Sequence, residues 1–113
     1  MDLRIDSSGS FPLAIVSGEL TDTDAGELTE ALHDLVAGER AKLAIDLAGL
    51  QSLNSSGLSA LIGLVTRARL GDGQVILIAP TPFVAGVLSA TRLDTWFDIC
   101  ATLDDATRLL GES

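Results

Sequence analysis

Basic residues are scarce in this chain. Seven Lys and Arg stand against 16 Asp and Glu, which gives 113 residues a formal net charge of -9. Such a charge repels nucleic acid and anionic membrane surfaces unless the cations are gathered into a patch. The nearest thing to a cluster, Arg67 and Arg69, falls far short of a phosphate-tracking stripe, so no direct nucleic-acid contact is expected. Cysteine is limited to Cys100, which permits no internal disulfide and suits a reducing compartment. Nothing beside Cys100 would lower a thiol pKa, so it reads as a small buried hydrophobe near the end of a strand. Histidine is limited to His33, and no His, Cys and carboxylate set has metal-ligand spacing, so neither a metal nor another cofactor is expected. Long apolar runs are missing too. None approaches the roughly 20 residues of a membrane span, and "MDLRIDSSGS" lacks the basic stretch and apolar core of a secretory signal. A cytoplasmic address follows as the expectation.

What is present is apolar material enough for a core. At 47% hydrophobic residues, the chain suits one domain spanning 1–113. "LRID" and "FPLAIVSG" are short β-favouring runs around the turn signal "SSGS", which predicts an antiparallel hairpin with Pro12 at an edge or strand start. Leu28, Leu32, Leu35 and Val36 then recur at helical spacing, with Glu27, Glu30, His33 and Asp34 elsewhere on the wheel. "TDTDAGE" offers Thr and Asp as N-caps and places acids in the first turn, while Gly38 can end the helix. "KLAIDLAGL" reads as an interior strand.

A second helix is predicted from Leu58, Leu61, Ile62 and Val65, stopped by "GDG" at 71–73 before the strand "QVILIA". Pro80 and Pro82 bracket a turn into a shorter helix in "FVAGVLSATRL". "TWFDIC" supplies one more strand, and "LDDATRLL" a last amphipathic helix with Asp104 and Asp105 in its first turn. Trp96 and Phe97 read as packing for that last helix, with Trp96 also a candidate for a partner surface. The alternation of elements predicts an α/β fold: a mixed β-sheet of four to five strands, with about four helices packed mainly on one face.

The stretch "SLNSSGLSALIGL" places Asn54, Ser55, Ser56 and Gly57 where a strand hands over to a helix, at the carboxyl edge of the sheet that ligands favour in open α/β folds. Capping accounts for one polar side chain, because a single N-cap oxygen serves the first-turn amides and Gly57 allows close backbone approach. It leaves the second serine unexplained. A nucleophilic serine needs a base, and His33 lies on the polar side of another helix; neither serine has Gly two residues before it, as a nucleophile elbow requires. A hydrolase therefore requires His33 within reach of Ser55 or Ser56. The loop also lacks the glycines and lysine of a phosphate-cradling P-loop. A phosphoryl acceptor fits better, since helix-start amides stabilise the dianionic product.

At these residues the chain resembles the STAS domain family, and in particular its anti-sigma factor antagonists. "LAIDLAGLQSLNSSGLSALIGLVTRA" is similar to the family's strand, Asp-Ser-Ser-Gly-Leu connector and helix. "GELTDTDAGELTEAL" resembles its Gly-Glu-Leu-Asp stretch, and "GDGQVILIAPTPFVAGVLSATRLDTWFDI" its Gly-Gly turn, fourth strand, Pro-containing loop and closing Leu-aromatic segment. The likeness implies a STAS-like fold and a bacterial, non-enzymatic protein-binding switch. In that switch an unphosphorylated antagonist binds an anti-sigma factor that is itself a serine kinase and so frees a sigma factor for transcription. The kinase phosphorylates the first serine of the pair and a phosphatase resets it. Carried over, the phosphoacceptor is Ser55, in a loop with Asn54, Ser56 and Gly57, and the partner meets Gly18, Glu19, Leu20, Thr21, Asp22 and Leu58. Asp22, Asp24, Glu27 and Glu30 otherwise read as a solvated helix start and on this likeness become partner contacts. A monomer or weak dimer is expected. Two positions depart from the family: Asn54 stands where the family has Asp, and Thr21 where it has Asp, with Asp22 one position later. The alternative reading is a constitutive STAS module of a transporter or scaffold complex, with Ser55 serving only the cap.

Overall fold

The computed structural model describes residues 1–111, so Glu112 and Ser113 lie outside it. The elements follow the order read from the sequence: β1 (Asp2–Asp6), β2 (Leu13–Leu20), α1 (Asp22–Val36), β3 (Lys42–Leu53), α2 (Ser55–Leu70), β4 (Gln74–Ile78), α3 (Pro82–Ala90), β5 (Asp98–Cys100) and α4 (Leu103–Gly111). The strands form one sheet in the order β1-β2-β3-β4-β5, antiparallel at β1-β2 and parallel thereafter. Pro12 sits just before β2; it has no N–H to give, and its carbonyl accepts from the Ala44 N–H at 3.1 Å.

Leu43, Ile45 and Leu47 of β3 point to one face, where Leu28 and Leu32 of α1, Leu61 and Leu64 of α2, and Val84 and Leu88 of α3 cover them. α4 takes the opposite face, laying Ala106 and Leu110 on Ala44, Ile76, Ile78 and Phe11. The central strands are buried on both sides, which explains why "QVILI" reads as continuous apolar residues. The buried residues are all apolar among those described, so the core rests on area removed from water rather than on internal polar pairing.

Two expectations need correction. β5 is confined to Asp98–Cys100, shorter than the predicted "TWFDIC". Trp96 and Phe97 precede it in a turn whose N–H groups reach back to the Leu93 carbonyl at 3.0 and 2.9 Å. That turn swings both aromatics to the α1–α3 face, so they pack in the larger core and not under α4. There the Trp96 and Phe97 rings meet edge to face with centroids 5.0 Å apart, and the Arg69 guanidinium lies 4.4 Å from the centre of the Trp96 ring.

Candidate functional site

The parallel pairing of β2 with β3 brings two distant segments together. Glu19 is opposite Ser52 and Leu20 opposite Leu53, so both chains leave the sheet side by side, one into α1 and the other into α2. Gly18 turns the end of β2 with φ +84°, a left-handed conformation that glycine adopts without strain. Thr21 is the N-cap of α1; its N–H and hydroxyl both donate to Asp24 Oδ2, at 3.1 and 2.8 Å. These two bonds hold the Asp24 carboxyl below the usual carboxylate range, with a smaller pull from the amino terminus 3.6 Å away.

The N-cap of α2 is Asn54, whose Oδ1 accepts from the Gly57 N–H at 2.9 Å. That settles the capping question left open by the sequence. Ser55 and Ser56 occupy the first two helical positions, both exposed, and among the described residues neither hydroxyl has a hydrogen-bond partner in the protein. Gly57 is buried, and a Cβ there would lie 2.7 Å from Leu20 Cγ and 2.7 Å from Leu53 Cδ1. The serine pair is therefore presented on a helix start that sits directly on the core. Leu58, half-buried, anchors the next position.

Two contacts not foreseen from the sequence complete this edge. Asn54 Nδ2 donates to Asp22 Oδ1 at 2.8 Å, tying the starts of α1 and α2 across 32 positions. The Thr81 hydroxyl donates to the Leu50 carbonyl at 2.9 Å, fixing the start of α3 to the end of β3. Phe83, next to that start, is 56% exposed. A Thr-Pro pair before an apolar run does signal an N-cap, but only the topology shows which carbonyl it meets.

The remaining candidates divide clearly. Glu19 and Asp22 are exposed beside the serines, whereas Leu20 is 2% exposed and shapes this edge from beneath. An open groove of about 710 Å³ between α1 and α2 is lined by Thr29, Glu30, His33, Asp34, Ser56 and Ser59. His33 is exposed there, with Nδ1 3.4 Å from Asp34 Oδ1, and no hydrogen bond joins it to Ser55 or Ser56 among the described residues. Cys100 is partly buried at the end of β5, where its thiol donates to the Thr102 carbonyl at 3.3 Å, and burial pushes its pKa up. Charge is unevenly placed. α1 carries Asp22, Asp24, Glu27, Glu30 and Asp34 with no Lys or Arg, α4 begins with Asp104 and Asp105, and Arg67 and Arg69 lie in the last turn of α2, at the far end of the sheet. No helix among the described residues is long and apolar enough to cross a membrane.

Known proteins share this arrangement. The sequence pattern of the STAS domain matches residues 5–106. The crystal structure of an anti-sigma factor antagonist from Mycobacterium paratuberculosis superposes with a TM-score of 0.83 at 28% identity, covering 96% of this chain and 92% of that one. An anti-sigma-factor antagonist (STAS) domain protein from Planctomyces limnophilus gives 0.81 at 19% identity, over 98% of this chain and 99% of the other. The Bacillus cell fate determinant SpoIIAA in its phosphorylated form gives 0.73 at 15% identity, over 96% and 99%. The family pattern spans nearly all of the sheet and its helices, and the superpositions cover the chain almost end to end: this chain belongs to the STAS domain family and has the SpoIIAA-like fold.

Proposed function

We propose that this protein is a cytoplasmic anti-sigma factor antagonist of a bacterial partner-switching circuit, a binding module rather than an enzyme. It binds an anti-sigma factor that is a serine kinase, and phosphorylation of Ser55 by that kinase releases it. The observation that carries the reading is the start of α2. Asn54 takes the capping role, which leaves Ser55 exposed and its hydroxyl unbonded at a helix start beside the acidic corner Glu19–Asp22. A phosphoryl group there gains helix-start amides and adds a charge of about -1.5 to -2. On the docking face, a dianion set against acidic or apolar partner groups weakens binding, and a hundredfold loss of affinity requires only about 2.8 kcal/mol. The 28% identity with the mycobacterial antagonist supports the same reading.

The test is intact mass after incubation with ATP, magnesium and each anti-sigma kinase of the source organism, for wild type and Ser55→Ala. The expected result is a gain of one phosphoryl group that Ser55→Ala abolishes, with complex formation lost on phosphorylation. A stable complex with no mass gain would overturn the switch and favour the constitutive module.

A further inference from the structure

Asn54 uses both ends of its side-chain amide. Its oxygen accepts from the Gly57 N–H at 2.9 Å, and its nitrogen donates to Asp22 Oδ1 at 2.8 Å. Only one orientation of the amide satisfies both neighbours, because Gly57 offers a donor and the Asp22 carboxylate an acceptor. A carboxylate at position 54 would keep the cap but face another carboxylate. Asp22 is itself placed firmly: it opens α1 immediately after Thr21, which is locked to Asp24. The tie therefore joins two fixed helix starts, and Ser55 is the next residue along. With no partner for its own hydroxyl among the described residues, Ser55 takes its orientation from the backbone that Asn54 holds.

We infer that Asn54 and Asp22 act as a matched pair of positioning residues, fixing the start of α2 against α1 so that the Ser55 hydroxyl is presented to the kinase. This rests on the phosphoswitch reading above. It also gives position 54 a physical requirement: an amide is needed there because position 22 holds a carboxylate. The rule is reciprocal. If the two side chains are exchanged, donor and acceptor trade places and both bonds return.

The experiment compares wild type with Asn54→Asp, Asp22→Asn, Asp22→Ala and the exchange Asp22→Asn/Asn54→Asp. Each is first confirmed folded by circular dichroism at the assay temperature. The readout is the steady-state kinetics of Ser55 phosphorylation by the kinase that modifies wild type. Asn54→Asp is expected to lower kcat about tenfold or more, as befits loss of a hydrogen bond to a charged group and its replacement by like charges. Asp22→Ala, which removes the tie and keeps the cap, should also lower kcat. Asp22→Asn retains an acceptor oxygen and thus the tie, so whatever it changes through the lost charge of a partner-facing residue is separated from the loss of the tie in Asp22→Ala, and the exchange should return kcat to within about threefold of wild type. Changes in KM that come from the Asp22 charge persist in both Asp22 variants, whereas kcat recovers only where the tie is restored; variants that merely unfold in part would lose active concentration without rescue by the exchange. An Asn54→Asp variant phosphorylated as well as wild type, or an exchange that rescues nothing, overturns the pairing while leaving the switch intact. A wild-type chain that no kinase phosphorylates overturns the switch itself, and the presentation role with it.

Discussion

Gly57→Ala is the substitution whose outcome the structure fixes most tightly, because two opposing effects meet at one carbon atom. Alanine is the better helix former by up to about 1 kcal/mol, and it keeps the N–H that Asn54 caps. Against this, the added Cβ would lie 2.7 Å from Leu20 Cγ, a branch point within a side chain only 2% exposed, and 2.7 Å from Leu53 Cδ1. Forcing one carbon into a filled core costs about 1 to 3 kcal/mol. Three contacts below 3.0 Å, one of them to a branch point, put this site in the upper part of that range, about 2 to 3 kcal/mol, so the clash wins and leaves a net loss of about 1 to 2 kcal/mol. With an unfolding entropy of about 2.1 cal/mol/K per residue, that loss lowers Tm by about 4 to 8 °C, measurable by calorimetry. The sign should reverse when room is made. In a Leu20→Ala background, itself destabilised by about 2 to 5 kcal/mol, the terminal methyl of Leu53 can swing into the vacated space, and Gly57→Ala should then be neutral or stabilising. A Tm that rises in the wild-type background, or a penalty that persists unchanged without Leu20, would refute the claim that this glycine exists to let α2 sit on the core.

Other expectations concern acid and partner contact. The Asp24 carboxyl is held low by its bonds from Thr21, so its stabilisation is complete above the ordinary Asp pKa of about 3.9 and is lost as pH falls through the lower folded value. Asp24→Asn should therefore flatten the acid side of the stability curve in urea titrations below about pH 4, while Asp6, held low by Ser8, keeps part of the slope; an unchanged slope would refute the contribution of the capping box. Phe83, 56% exposed at the start of α3, which like α2 begins at the carboxyl edge of the sheet, should act as an apolar contact for the partner. Phe83→Ser is expected to leave Tm within about 2 °C of wild type and to weaken the kinase complex at least about fivefold by titration calorimetry; equal affinity would place Phe83 outside the interface.

The order and type of every element were legible in the sequence because the periodicities are clean and the punctuation is strong. Thr21, Asn54 and Thr81 each stand before an apolar helical stripe, and the 71–73 glycines end the second helix where expected. What was not legible depends on chain crossings. The Asn54–Asp22 bond joins residues 32 apart and exists only because β2 and β3 are parallel and in register at Leu20 and Leu53. Local pattern could not choose between Asn54, Ser55 and Ser56 as the cap, since all three side chains are competent. Trp96 and Phe97 were assigned to the wrong side of the sheet because β-favouring residues continued the strand backwards, whereas the turn on Leu93 ends it at Asp98. Leu20 was counted with Glu19 among the residues the partner meets and proved to be a support buried beneath Gly57.

The uneven placement of charge along the helices has a kinetic meaning. In this topology every helix begins at the carboxyl edge of the sheet, where acids suit its first turn, and ends at the opposite edge, where arginines suit its last. The first-turn acids of α1 and α4 lie toward the edge that carries Ser55, and Arg67 and Arg69 of α2 toward the opposite edge. The molecule thus has a heading in solution. A cationic group on an approaching molecule is drawn toward the serine end and an anionic one is turned away from it, and added salt weakens both effects.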